Sequence, residues 1–87
     1  MQITRSSRKD KKWTATFKDG NKVHFGATGY KDYTLGTSDI QRKSYIARHS
    51  NEDHNDPQKA GTLSRFILWE HRSMEKAIRE YKKRFGI

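Results

Sequence analysis

The stretch that decides the fold is Trp13-Thr14-Ala15-Thr16-Phe17-Lys18-Asp19-Gly20-Asn21-Lys22-Val23-His24-Phe25. On both sides of a polar break, ring or aliphatic side chains alternate with polar ones, and a period of two is typical of β-strands. The break contains Asp-Gly-Asn, a combination that favours turns. The stretch therefore predicts a β-hairpin.

The length of the turn decides which residues of the hairpin face each other. A two-residue Asp-Gly turn would place Phe17 opposite Lys22, whereas an odd loop places Phe17 opposite Val23. We favour the odd loop, Asp19-Gly20-Asn21, with one residue in the left-handed region. One face of the hairpin then carries the apolar side chains, which are Trp13, Ala15, Phe17, Val23 and Phe25.

Helices must cover that face, because two strands alone are marginal in water. Ser38 and Gln41 match a capping box, which predicts a first helix from about Asp39 to His49. We expect its inner side to use three apolar residues, Ile40, Ile46 and Ala47.

The rest of the chain contains an expected loop and two further helices. Residues 50–61 are turn formers and charges without periodicity, which predicts an exposed loop. Helix resumes after Gly61, and the apolar run that follows is expected at the centre of the core: Leu63, Phe66, Ile67, Leu68 and Trp69. The last helix begins after Ser73, a good N-cap, and its apolar residues have helical spacing: Met74, Ala77, Ile78, Tyr81 and Phe85. The predicted fold class is α+β, an N-terminal β-hairpin packed against about three α-helices in a single small domain.

The formal net charge of +9 on 87 residues is concentrated at the two ends of the chain. Residues 1–12 carry five cations against one carboxylate, and so do residues 76–87. We interpret residues 1–12 as a flexible basic arm that precedes one domain, residues 13–87. So much positive charge attracts polyanions, so the expected partner is nucleic acid, with double-stranded DNA the expected form. The candidate binding residues are Arg5, Arg8, Lys9, Lys11, Lys12, Arg42, Lys43, Arg48, Lys82, Lys83 and Arg84.

Each basic cluster also has a simpler interpretation. The amino-terminal cluster could be a solvated tail, and the cations of the last helix complement the helix dipole. In that helix, Glu75 with Arg79 and Glu80 with Arg84 are spaced for ion pairs. The two clusters together favour nucleic acid, because about six phosphate contacts would produce a steep dependence of affinity on salt.

The composition favours neither catalysis nor a cofactor. Ser and His occur without the context of an activated nucleophile, so we expect no enzyme, and no cofactor is implied. One loop has the composition of a metal site, with His49, Glu52, Asp53, His54 and Asp56, but we interpret it as solvated and acidic. The chain has no cysteine, which fits a reducing compartment. No apolar run approaches the ~20 residues of a membrane span, so no membrane partner is expected.

Two short motifs are ambiguous. Gly26-Ala27-Thr28-Gly29 invites a phosphate-loop interpretation, but it lacks the Gly-Lys-Ser/Thr ending, so we interpret it as a turn after the second strand. Tyr30 and Tyr33 could stack on bases, yet in a domain short of core residues we expect their rings to be buried with the hydroxyls outward.

Several segments together resemble a family of small basic proteins from nucleocytoplasmic large DNA viruses. They are Val23–Ala27, Gly29–Thr34, Arg42-Lys43, Tyr45–His49, Asn51–Asp53, Ala60-Gly61, Ser64-Arg65 and Leu68-Trp69. The chain departs from the family pattern at His54, where relatives carry Trp, and at Arg72-Ser73, where they carry Pro. The resemblance implies a protein made during infection in the host cytoplasm or nucleus and packaged in the virion, and it supplies no catalytic residues.

Two function classes follow from these observations. The first is a non-enzymatic, largely sequence-independent DNA-binding protein that helps to package or organise a viral genome. The alternative is a structural or interaction protein whose basic surface binds an acidic virion or host protein. The sequence leaves open the preference between DNA and RNA, the oligomeric state, and whether such a protein coats, bends or bridges DNA.

Overall fold

The predicted hairpin forms two strands of a three-stranded antiparallel sheet with the order β1-β2-β3. A computed structural model of the protein describes residues 1–87. The strands are β1 (Gln2–Arg5), β2 (Lys11–Thr16) and β3 (Lys22–Ala27). Helical segments follow the sheet in the chain, so the predicted α+β class is confirmed.

The β2–β3 turn has the predicted odd length but a different register. Ala15, rather than Phe17, pairs with Val23. The loop is Lys18-Asp19-Gly20, closed by a hydrogen bond from the Phe17 amide to the Asn21 carbonyl (3.0 Å). Gly20 supplies the left-handed residue, with φ of 86°. Because the register differs by two residues rather than one, every apolar side chain stays on the predicted face.

The expected flexible arm is wrong for residues 2–5, which form β1. Ile3 pairs with Ala15 and Arg5 with Trp13, so the strand extends the sheet on the free edge of β2. Ile3 is partly buried against the core. The sequence did not predict this strand because one apolar residue among polar ones shows no alternation. The strand forms because its backbone hydrogen bonds satisfy the N–H and C=O groups on the otherwise open edge of β2.

The helical half begins with a 3₁₀ turn, Tyr33–Leu35, and continues with α1 (Asp39–Arg48). Next come α2 (Ala60–Leu63), a π-helical segment (Ser64–Leu68) and α3 (Met74–Phe85). Both predicted caps are confirmed. Ser38 and Gln41 form a capping box at α1, and the Ser73 hydroxyl accepts a hydrogen bond from the Lys76 amide at α3.

The core lies between one face of the sheet, the π-helical segment and α3. Eight buried side chains form it: Ala15, Phe17, Phe25, Leu63, Ile67, Leu68, Ala77 and Tyr81. Leu63, Ile67 and Leu68 are therefore central, as predicted, whereas Phe66 and Trp69 are only partly buried.

Helix α1 packs through a different face from the one predicted. Ile40 is 80% exposed and Ala47 is also exposed, so the prediction is wrong for these two residues, whereas Ile46 is partly buried as predicted. Arg42 and Tyr45 are partly buried as well. The inward face meets a polar and aromatic surface: the Arg42 Nε donates to the Trp69 carbonyl (2.7 Å), and the rings of Tyr45 and Trp69 stack. Because that surface offers carbonyls and a flat ring, a guanidinium and a tyrosine match it better than aliphatic side chains do.

The loop at residues 50–61 is mostly exposed, as predicted, but two of its residues anchor it. The Tyr81 hydroxyl donates to the Pro57 carbonyl (2.7 Å), and the side-chain Nδ2 of Asn21 donates to Gln58 Oε1 (2.7 Å). No helix in the structure has the length and apolar character needed to cross a membrane.

Candidate nucleic-acid interface

A cleft of about 800 Å³ lies between the end of the sheet and α1. Its lining comes from the ends of β2 and β3, the segment at residues 30–37, α1 and the first turns after residue 59. Four cations line it: Lys11, Lys12, Lys31 and Arg48. All of them except Lys31 are among the predicted binding residues. The cleft is therefore the place where the fold gathers predicted site residues from separate parts of the sequence.

Lys12 is held inside the cleft wall rather than offered to solvent. Its Nζ lies 2.8 Å from Asp32 Oδ2, and the side chains are only 15% and 3% exposed. The ammonium also donates to the Tyr30 carbonyl. This ion pair ties β2 to the segment before α1, so the expectation that Lys12 binds phosphate is replaced by a structural role.

The other cations around the cleft have no carboxylate partner. Lys11, Lys31 and Arg48 form no ion pair, and neither does Lys9 in the adjoining β1–β2 turn. The turn is fixed next to the cleft because the Thr28 amide donates to the Asp10 carbonyl (3.1 Å) and the Thr28 hydroxyl to the Lys9 carbonyl (2.8 Å). We call Lys9, Lys11, Lys31 and Arg48 the cleft cations.

Tyr30 lies among the cleft cations and is 74% exposed, so the prediction that its ring is buried is wrong. Tyr30 follows Gly29, whose φ is 84°, and the turn carries the ring away from the sheet. Tyr33 agrees better with expectation: its ring is half-buried, and its hydroxyl donates to Asp39 Oδ1 (2.8 Å). Base stacking by Tyr30 was considered from the sequence and set aside in favour of burial, and Lys31 was not among the predicted binding residues. Both lie in a segment without strand or helix period.

Arg42 also has an internal role. Besides its bond to Trp69, its Nη2 lies 3.2 Å from Glu70 Oε2, and its guanidinium lies 5.3 Å from the centre of the Tyr33 ring. Burial alone would raise the pKa of Glu70, but the hydrogen bond from Arg65 and the charges of Arg65 and Arg42 outweigh it and lower that pKa below 4.5. Arg42 thus fastens α1 to the Trp69-Glu70 corner, and it does not extend the binding surface.

Aromatic rings form the α1 side of the cleft. The Tyr45 and Trp69 rings are 4.3 Å apart and within 7° of parallel. Burial, together with the nearby Glu52 carboxylate, raises the pKa of Tyr45 to about 12. The Tyr45 hydroxyl therefore stays neutral at physiological pH. Besides its four cations, the cleft lining contains two carboxylates: Asp32, which pairs with Lys12, and Glu52, which contacts His49.

The carboxy-terminal cations form a second surface, distant from the cleft. Gly86 and Ile87 lie beside Phe17, Lys18 and Asp19, at the β2–β3 turn, whereas Lys11 is at the other end of β2. The predicted pairs of Glu75 with Arg79 and Glu80 with Arg84 are absent from the ion pairs. Five cations of α3 therefore form no ion pair, and we call them the α3 cations: Lys76, Arg79, Lys82, Lys83 and Arg84. Lys82 is half-buried, and the Arg84 guanidinium lies 4.0 Å from the centre of the Phe66 ring.

The remaining predicted residues are scattered. Arg8 pairs with Asp10 at 2.8 Å on the exposed β1–β2 turn. The Arg5 guanidinium lies 5.1 Å from the centre of the Trp13 ring. Lys43 is exposed on α1 but does not line the cleft.

The histidine-rich loop makes one close contact. His49 Nδ1 contacts the Glu52 carboxylate, and His54 Nε2 lies 3.9 Å from the other Glu52 oxygen. The remaining carboxylates accept backbone amides within the loop, Asp53 from Asn55 and Asp56 from Gln58. No three side chains of the His, Asp and Glu type converge on a common point.

Fold and site together define the molecule as a small basic α+β protein with an open, cation-lined cleft. Residues 1–49 match a family of unknown function, DUF5754, and the chain belongs to that family. The match covers the sheet and α1, and so includes all four cleft cations. No curated protein and no solved structure matches the chain.

Proposed function

We propose that this protein binds nucleic acid without catalysing a reaction, mainly through the phosphate backbone. The observation that supports this best is the set of four cleft cations. Lys11, Lys31 and Arg48 line the cleft, Lys9 lies in the adjoining turn, and none of the four forms an ion pair. When a cluster of unpaired lysines and arginines binds phosphates, it displaces the small cations condensed on the nucleic acid. The release of these counterions drives binding that does not depend on sequence.

The α3 cations support the same function from a second surface. Cations near a helix C-terminus are favoured by the dipole, but the dipole acts only within the last turn. Lys76 and Arg79 lie before that turn and form no ion pair. Their exposure is therefore better explained by an anionic partner than by helix stability.

The setting we propose is a DNA virus particle or the infected cell, where the protein would package or organise double-stranded DNA. This part depends on the resemblance of its segments to proteins of large DNA viruses. The phosphate-binding proposal is independent of it.

The test measures the affinity of three proteins for a fluorescent DNA duplex by anisotropy at low salt. Lys31→Gln with Arg48→Gln removes two cleft cations, and Lys22→Gln with Lys43→Gln removes the same charge from two exposed, unpaired lysines that belong to neither set of cations. We expect the first variant to bind at least tenfold more weakly than the wild type, and the control to bind much closer to the wild type. Equal weakening by both variants would mean that only net charge matters and would contradict a defined interface.

Duplex length separates this proposal from an acidic protein partner. Backbone binding increases with the number of phosphates offered, with little preference for sequence. A protein whose basic surface serves an acidic protein would bind DNA weakly at every length and would saturate with one defined partner.

A further inference from the structure

We propose that the cleft holds one unpaired nucleotide, so that the protein prefers single-stranded or frayed DNA over a blunt duplex. This inference depends on the proposed function, because it assigns a form of nucleic acid to the same cleft. It differs from the expectation of double-stranded DNA stated above, because positive charge attracts every form of nucleic acid alike.

The exposed ring of Tyr30 is the first observation. A large ring that is 74% exposed loses the hydrophobic benefit of burial, yet this one sits among cations at the mouth of a concavity. Stacking on a base would cover it, and aromatic rings beside positive charge are the usual platform for single strands. Inside a duplex each base already has both faces covered by its neighbours, so only an unpaired or terminal base can stack on Tyr30.

The size and shape of the cleft are the second observation. Its volume of about 800 Å³ is in the range of sites that enclose small organic ligands. A nucleotide fits such a space, whereas a duplex can only lie across its mouth. Lys11, Lys31 and Arg48 line the same space and form no ion pair, while the Glu52 carboxylate in that lining contacts His49. The three cations are therefore available to the phosphates of a strand that enters the cleft.

The experiment compares an oligothymidylate of about 12 nucleotides with a blunt duplex of the same length, within the site size of single-strand binders. We expect the wild type to bind the single strand more tightly. Tyr30→Ala should reduce affinity for the single strand by about tenfold and for the duplex by less than twofold, while Tyr30→Phe keeps the preference.

The matched control is Leu35→Ala, which removes another exposed apolar side chain that does not line the cleft. It should leave both affinities unchanged. If Tyr30→Ala lowers neither affinity, or lowers both equally, the unpaired-nucleotide site is overturned while backbone binding stands. If the wild type binds neither probe at low salt, the proposed function fails as well.

Discussion

At the scale of single residues, the structure separates cations that stabilise the fold from cations that remain free. Lys12 and Arg42 look like any other basic residue in the sequence, yet one neutralises the buried Asp32 and the other fastens α1. Lys11, one position from Lys12, points into the cleft without an ionic partner. Removal of the Lys12 charge should therefore lower the stability of the fold, whereas removal of the Lys11 charge should weaken binding and leave stability nearly unchanged.

Lys12→Met should destabilise the protein strongly. It leaves the carboxylate of Asp32, whose side chain is 3% exposed, without its ion-pair partner. Breaking one side of a buried pair costs about 3 to 5 kcal/mol, whereas Lys11→Met should change stability by no more than about 0.5 kcal/mol. Urea unfolding of the two variants measures the difference. Equal free energies of unfolding would show that the Lys12 pair contributes nothing.

Glu70 should contribute a component of stability that depends on pH. Its pKa is lowered in the folded protein, so as the pH falls the unfolded chain binds the proton first. The contribution is complete above the ordinary pKa of 4.5 and is lost as the pH falls through the lower folded value. The stability difference between wild type and Glu70→Gln should therefore shrink between neutral and acidic pH, as measured by thermal unfolding. A difference that stays constant with pH would refute this role.

At the scale of elements, α1 differs from the rest of the molecule because it contributes no residue to the main core. A ten-residue helix is marginal without tertiary support, and here that support comes from Arg42 and the stacking of Tyr45 on Trp69. We therefore expect α1 to open more readily than the sheet or α3.

Arg42→Met should loosen α1 alone. Amide hydrogen exchange should accelerate in α1 while amides of β2 and α3 keep their protection, because Arg42 connects α1 to the Trp69 and Glu70 carbonyls. Lys43→Met is the matched control on the exposed side of the same helix and should have no effect. Accelerated exchange throughout the protein would show that α1 and the core open together.

Ile67→Ala should destabilise the core more than Phe66→Ala. Ile67 is fully buried in the π-helical segment, and truncation of such a side chain costs about 2 to 5 kcal/mol. Phe66 is partly exposed, and guanidinium groups of Arg65 and Arg84 lie over its ring at 5.0 and 4.0 Å. Chemical unfolding should rank the variants in that order. A larger loss from Phe66→Ala would contradict the position of the core.

The elements also show how far the sequence alone predicts this fold. Alternation identified the β2–β3 hairpin and its buried face, and side-chain caps identified both long helices. The pairing of β1 was not predicted because the strand has only one apolar residue, Ile3. Ile3 packs against the core only once β1 pairs with β2. The inward face of α1 was misjudged because Arg42 and Tyr45 meet carbonyls and a ring from residues far along the chain, which a helical period does not reveal.

At the scale of the whole molecule, folding redistributes the charge that the sequence places at its two ends. The extents are 37 × 28 × 24 Å, and the basic β1–β2 turn joins Lys31 and Arg48 at the cleft, while the α3 cations end beside the opposite turn of the sheet. The sequence therefore predicted the amount of positive charge but not its grouping. Lys31 was missed, and Tyr30 was expected to be buried, because only the tertiary structure brings them into the same cleft as Lys11.

The most direct test of the central claim is the salt dependence of the Kd for a DNA duplex. A plot of log Kd against log salt concentration should be linear and steep for the wild type, with a slope of roughly 0.9 per phosphate contact. Lys31→Gln with Arg48→Gln should lower that slope by about 2, because two contacts are lost. A Kd that does not respond to salt, or a slope that the variant leaves unchanged, would contradict phosphate binding at the cleft.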